Sequence, residues 1–498
     1  MLVIFLYAID TTVVSTAMPT VVAKLGDIEL YSWVFSIYML TSALATPLFG
    51  KLSDLFGRRR LMLIGIGIFT LGSLLCGAAQ SMMQLIFFRA AQGIGGGAMY
   101  ALSFIIVGVV FPAERRARMQ GLISGVWGIS SVLGPLAGGL ITEYWSWRWI
   151  FFINLPGALV ATVLILFGFR EADSDRRRPQ VDLKGAVLLL LGLLFLFYAL
   201  APGGRGSQGP SLFSLALFVL ALTTLTVFFI LERSVEEPII PPDLFRLHLF
   251  TMSTVISTLA SMGIFGAISY LPLYVQGVLG GTASQAGAVL LVASLSWTGG
   301  SMMAGQGMNR LGYRAVCLIG MGLMALGYGL FIAVGMGRGM VAGLVEGVLI
   351  GMGMGMVNVT VLVAAQNGVP VDRIGIATAA IMLFRTFGGA FGVSVMGSVL
   401  FTHMYRRLVT LSASAGLDLS TAEIEKFANP QSLMEPAARL LIPDRLLSVL
   451  VDSLGQSIWY AFAAGFVLML LGFGSSFFMD ALTPATTTRP PERGRARS

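Results

Sequence analysis

GKLSDLFGRRR, Gly50 to Arg60, is a short basic turn punctuated by glycine and set between two apolar runs. Each run is long enough to cross a bilayer, which takes about 20 apolar residues. The outline returns downstream as GQGMNRLGYR, Gly305 to Arg314. Gly50, Asp54, Gly57 and Arg59 fall in register with Gly305, Asn309, Gly312 and Arg314. A loop that recurs once in each half of an apolar chain implies two related helical bundles and points toward transport.

Composition agrees. Of 498 residues, 56% are hydrophobic and only 11% charged, against about a quarter charged in soluble domains. Sixty-one glycines without a collagen-like period suit close helix packing in lipid. The net charge of +8 accompanies no nucleic-acid-binding signature, so it is read as membrane topology, with a lipid bilayer and not nucleic acid as partner. Cys76 and Cys317 both lie in apolar runs, which argues against a disulfide framework. His248 and His403 form no ligand pair, so no metal is expected. No G-x-x-x-x-G-K-[ST] appears, and no convergent catalytic set; the reading is a non-enzyme without cofactor, its energy a proton gradient and not ATP.

Fourteen apolar runs are expected to span, beginning near Leu2, Tyr31, Leu61, Leu85, Gly121, Trp149, Leu183, Leu212, Phe250, Ser284, Ala315, Met340, Gly375 and Gln456. The fold class is therefore an all-α polytopic membrane protein: two six-helix bundles plus two inserted helices. Most of the 32 Lys and Arg fall on the side of the N-terminus, so both termini are expected in the cytosol of a multi-pass cell-membrane protein. The divisions are 1–170 for the first bundle, 171–248 for the insert with its charged linkers, 249–479 for the second bundle, and 480–498 for a disordered tail. The outer segment 402–455 reads as short amphipathic helices.

An ionisable residue inside a span costs several kcal/mol and is a functional-site hypothesis by default. Four are found: Asp10, Arg89, Glu346 and Arg385. Asp10 lies about nine residues into the first span, roughly 14 Å deep at 1.5 Å per residue, beside Thr11 and Thr12 as hydrogen-bonding neighbours. A desolvated carboxyl there holds a proton and yields it when a cation approaches. Arg89 shares a helical stripe with Gln92, Gly93, Gly96, Tyr100 and Ser103. It either modulates that proton or forms a static pair with Asp10. GLVEGVLIGMGMG, Gly343 to Gly355, is a degenerate copy of that stripe with Glu346 in the place of Gln92. Glu346 is then either a second proton- or cation-binding acid or the fixed partner of Arg385.

In the Gly50–Arg60 loop, Gly50 and Gly57 permit the tight turn. Asp54 is placed to cap a helix of the opposite half, and Arg58 or Arg59 to pair with Glu114. Such contacts would bias alternating access. In SSVLGPLAGGLI, Pro135 removes a backbone donor while Gly134, Gly138 and Gly139 offer a smooth packing face. Polar and aromatic residues within spans (Tyr38, Trp127, Tyr270, Trp297, Asn358 and Phe384) are candidates to line a cavity for lipophilic cations.

These residues resemble the major facilitator superfamily. GKLSDLFGRRR is similar to its loop between spans two and three, FFRAAQGIGGG (Phe87 to Gly97) to its fourth-span motif, and SSVLGPLAGGLI to the fifth-span motif of its antiporters. AIDTTVVSTAMP (Ala8 to Pro19) and WSWRWIFFINLPGAL (Trp145 to Leu159) resemble the fourteen-span drug:proton antiporters of the EmrB/QacA type. The resemblance implies export of lipophilic, cationic drugs in exchange for protons, with Asp10 carrying the proton, Arg89 tuning its release and the glycine-rich fifth span preventing leak. Export of an endogenous lipid or metabolite is the alternative. Asn309, where the family has an acid, departs from the pattern and implies a weaker second gate. A periplasmic adaptor is not legible in the sequence.

Overall fold

The computed structural model describes residues 1–27, 30–169, 182–200, 205–206, 209–210, 212–235, 238–334, 339–414, 427 and 443–482. The first half is built from α1 (Leu2–Leu25), α2 (Tyr31–Phe56), α3 (Arg58–Ala78), α4 (Met82–Val110), α5 (Ala113–Tyr144), α6 (Trp149–Phe152) and α7 (Asn154–Gly168). The paired helices α8 (Leu183–Leu200) and α9 (Leu212–Leu231) follow. The second half holds α10 (His248–Leu273), α11 (Ala283–Val334), α12 (Gly339–Asn367), α13 (Ile374–Ser414) and α14 (Asp444–Ser476). Strand among the described residues is limited to Arg205–Gly206 and Gly209–Pro210.

Among the described residues, eleven helices are long and apolar enough to cross a membrane, or twelve if the bent α1 is taken as one span. The 52-residue α11 contains a break at Gly312, whose φ of 79° leaves the helical region. Gly57, at the α2–α3 junction, has φ 91°. Both positions require the left-handed backbone that glycine adopts without penalty, so the two related loops turn in the same way. They are also anchored alike: Arg59 donates to the carbonyl of Leu166 and Arg314 to that of Met479. Each arginine ties its loop to the last span of its own half.

Small residues let the spans approach. A Cβ on Gly97 of α4 would lie 2.2 Å from the Ser42 carbonyl oxygen of α2, and one on Gly351 of α12 would lie 2.2 Å from that of Ala293 on α11. The two halves thus repeat the same interhelical contact.

The expected amphipathic outer segment is only partly described. Residues 402–414 continue α13 and 444–455 begin α14, so these flanks are long-helix extensions and not separate elements. Of 415–442 only Phe427 lies within the described residues, as do none of 171–181 and 483–498.

The candidate coupling site and inter-half gate

Asp10 is fully buried in α1, and its carboxylate is saturated. Arg89 Nη1 donates to Oδ2 at 2.7 Å, while Gln92 Nε2 and Asn154 Nδ2 donate to Oδ1 at 2.8 and 2.9 Å. Gln92 and Asn154 also donate to the Ser73 hydroxyl, at 2.7 and 3.0 Å. Arg89 donates back to Gln92 Oε1 at 2.8 Å and stacks with Cζ 3.9 Å from the centre of the Tyr38 ring. Four helices (α1, α3, α4 and α7) therefore converge on one acid. A buried charge persists only when paired and hydrogen-bonded in this way.

Thr11 and Thr12 do not serve the acid as expected. Thr11 donates to the Ala8 carbonyl at 2.7 Å, and Thr12 reaches Ser130 of α5 at 3.1 Å. Hydroxyls one and two residues along a helix point away from the side chain at the reference position and return to their own backbone. Asn154 and Ser73 take their place, and sequence reasoning missed both. The signal for Asn154 was present: a lone amide inside WSWRWIFFINLPGAL, at the start of α7.

The stripe on α4 continues to Tyr100. Tyr7, Tyr100 and Trp127 form one aromatic group, with Tyr7 5.0 Å from Tyr100 and 5.7 Å from Trp127 between ring centres. Arg385 of α13 reaches across to the Tyr100 hydroxyl and also to Asn358 of α12. Among the proposed cavity residues, Trp127 and Asn358 are thus brought together around Arg385, with Tyr38 one ring further in at 6.1 Å from Tyr7. Tyr270, Trp297 and Phe384 are not. Tyr270 donates to the Val393 carbonyl at 2.8 Å. Trp297 packs against the core of the second half. Phe384 lies edge-on to Phe245, 5.8 Å away.

Glu346 and Arg385 do not pair. Both oxygens of Glu346 are buried without a hydrogen-bond partner, whereas Arg385 is spent on Asn358 and Tyr100.

The halves meet at the end that carries the basic loops. Asp54 Oδ2 accepts from the Ile376 amide at 3.0 Å, capping the first turn of α13, and Oδ1 accepts from Arg58 at 3.0 Å. Gly50 packs on Gly375 and Ala379 of the same helix. Gln120 donates to Gln366 at 3.4 Å, Gln366 to Thr378 at 2.9 Å, and Arg116 pairs with Asn367. This polar lattice was not read from the sequence. Arg59 goes to Leu166, as described above; the side chain of Glu114, its expected partner, lies outside the described residues. In α5, Gly134 and Gly138 abut Thr12 and Thr16 of α1, but Gly139 faces open space. Pro135 leaves the Ser131 carbonyl without its helical donor, and the Thr12 hydroxyl binds the carbonyl beside it.

Comparison with known proteins agrees with this architecture. The family model described as Major Facilitator Superfamily matches residues 1–393, and the chain belongs to that superfamily. It is 33% identical over 495 residues to the multidrug transporter protein MdtP of Bacillus subtilis, covering 96% of this chain and 91% of that one. It is 33% identical to Multidrug resistance protein 3 of the same organism, covering 97% and 94%. Among solved structures, the human organic anion transporter MFSD10 superposes with a TM-score of 0.62 at 16% identity, covering 96% and 97%. That likeness shows the fold alone. The chain is a multi-pass membrane transporter with relatives named for drug efflux.

Proposed function

We propose that this protein is a fourteen-span, proton-driven exporter of lipophilic compounds of the EmrB/QacA type. Division of α11 at Gly312 and inclusion of the shorter apolar helix Lys184–Leu196 bring the twelve candidate spans to fourteen. The basic loops lie in the cytosol, with both termini, so the conformation described is closed on the cytosolic side. The observation that carries coupling is the saturated Asp10 cluster. Asp10 is buried, ion-paired and bonded to side chains of two other helices, α4 and α7, so any rocking of the bundle that parts α1 from α4 removes Arg89. The carboxylate then takes a proton.

The cargo surface is the aromatic group Tyr7, Tyr100 and Trp127, whose ring faces suit lipophilic cations. Arg385 standing among them supports a second reading, in which the cargo is an endogenous lipid or metabolite with an acidic group. The test is proton-driven transport in inverted vesicles. A fluorescent lipophilic cation should discharge the pH gradient in the parent and more weakly in Asp10→Asn. Discharge by a lipophilic anion instead favours the second reading, and a gradient indifferent to either rejects proton antiport.

A further inference from the structure

Glu346 is 1% exposed, seven residues into α12, and neither carboxyl oxygen has a hydrogen-bond partner. α12 packs against α10, α11, α5 and α13. Among the described residues, the titratable groups that interact with Glu346 are Tyr274, at the end of α10, and Tyr328 of α11. Neither carboxyl oxygen takes a hydrogen bond from α5 or α13. Tyr328 is itself committed, donating to the Gly263 carbonyl at 2.6 Å. An unpaired carboxylate in such a place costs several kcal/mol, whereas a neutral acid costs no more than a buried hydroxyl.

Position gives this group a counterpart. In the register that sets Gly57 on Gly312 and Arg59 on Arg314, Ser73 falls on Tyr328; the α4 motif sets Gln92 on Glu346. Gln92 bonds Ser73 and the Asp10 pair. The second half thus has an acid at the centre of the same junction, with no arginine beside it. It also has a built irregularity: Tyr274–Val278 forms a π-turn that begins two residues after Pro272. Such turns hold one residue in excess and recur at functional sites, and Tyr274 on this one faces Glu346. At 1.5 Å per residue Glu346 lies about 10 Å from the α12 end remote from the basic loops, while Asp10 lies about 12 Å from the opposite membrane face.

We propose that Glu346 is a second proton-binding site, independent of Asp10. It is loaded from the side remote from the basic loops when movement of the π-turn admits water to the carboxyl, and emptied to the basic-loop side when the bundle reverses. Transport then carries one proton more per cycle than Asp10 alone would carry. This rests on the antiport reading above.

The test is infrared difference spectroscopy on the full-length protein in lipid, with the proton-to-substrate ratio measured in proteoliposomes. Parent and Asp10→Asn should show a protonated-carboxyl C=O band at neutral pH that Glu346→Gln lacks. Glu346→Gln, which keeps the side-chain shape, should still transport, with the ratio lowered by one proton, and Glu346→Asp should restore both band and ratio. A band that persists in Glu346→Gln, or is missing from the parent, overturns the proposal, as does an unchanged ratio. If substrate discharges no gradient in the parent, the antiport reading fails and takes the second transported proton with it. If the gradient is discharged and Glu346→Gln changes neither band nor ratio, only the present proposal fails.

Discussion

The two halves of this transporter repeat a frame and fill it with opposite chemistry. In the first half, Asp10 accepts three hydrogen bonds from Arg89, Gln92 and Asn154 and is paired at 2.7 Å. In the second, Glu346 occupies the matching junction with no partner. The helix contacts that enclose them are the same, down to the 2.2 Å approach at Gly97 and at Gly351. The backbone symmetry therefore serves packing, and the asymmetry lies in a few side chains. One acid is ion-paired and hydrogen-bonded by its neighbours; the other has no bonding partner at either oxygen.

Removing a partner separates the two sites most sharply. Asp10→Ala strands Arg89 in the interior, a loss of about 3–5 kcal/mol by analogy with other broken buried pairs. Glu346→Met fills similar volume without an unsatisfied acid and should leave thermal stability unchanged or raise it. Unfolding temperatures of the two variants in the same detergent check this, and equal losses would erase the distinction.

The frame itself should respond equally in both halves. Gly97→Ala and Gly351→Ala each force a methyl against a carbonyl, at about 1–3 kcal/mol of overpacking. Unequal costs would mean that one half relaxes more readily than the other.

Next comes the gate, where the halves differ through Asp54 and Asn309. Asp54→Ala deletes the cap on α13, worth about 0.5–2 kcal/mol, and should shift the ensemble away from closure at the basic-loop end. Spin labels at Arg60 and Val371 would report it as a longer distance population, with a smaller response expected from Asn309→Ala.

The smallest effect concerns the insert. Glu232, just past α9, accepts from the Ile240 amide at 3.2 Å. Burial pushes its carboxyl up to about 7, opposed by that amide and assisted by Asp182. The folded chain thus binds this proton more tightly than the unfolded one, so stability falls as pH rises from about 4.5 through about 7 and is level above. Glu232→Gln should flatten that slope in pH-dependent unfolding.

Much of the frame was legible because membrane helices advertise themselves. Apolar length gave the spans, and the repeated glycine–arginine loop gave the two halves. Asp54 was legible as an inter-half cap because topology asks for arginines in that loop and never for an acid. The Asp10–Arg89 contact was foreseen under both readings of Arg89, since two opposite charges in lipid seek each other. Partner choice between distant helices was not legible. Glu346 and Arg385 look like a pair by the same charge argument, yet their backbones set them on different junctions. Asn154, Ser73 and the Gln120–Gln366 lattice are uncharged, so no insertion cost singles them out among the other polar residues of the spans. The ring contacts of Phe384 with Phe245 and Phe387 were not legible, because an aromatic residue in a span is equally at home in a cavity and in packing.

The central claim is that Asp10 exchanges its proton when the cluster around it opens. The most direct measurement is proton release from the purified transporter in weakly buffered detergent, followed with an indicator dye as substrate is added. The account predicts release from the parent, none attributable to the first half in Asp10→Asn, and only the loss of the second proton in Glu346→Gln. Release from Asp10→Asn equal to that of the parent would contradict it, and would leave the Asp10 cluster as a fixed structural pair.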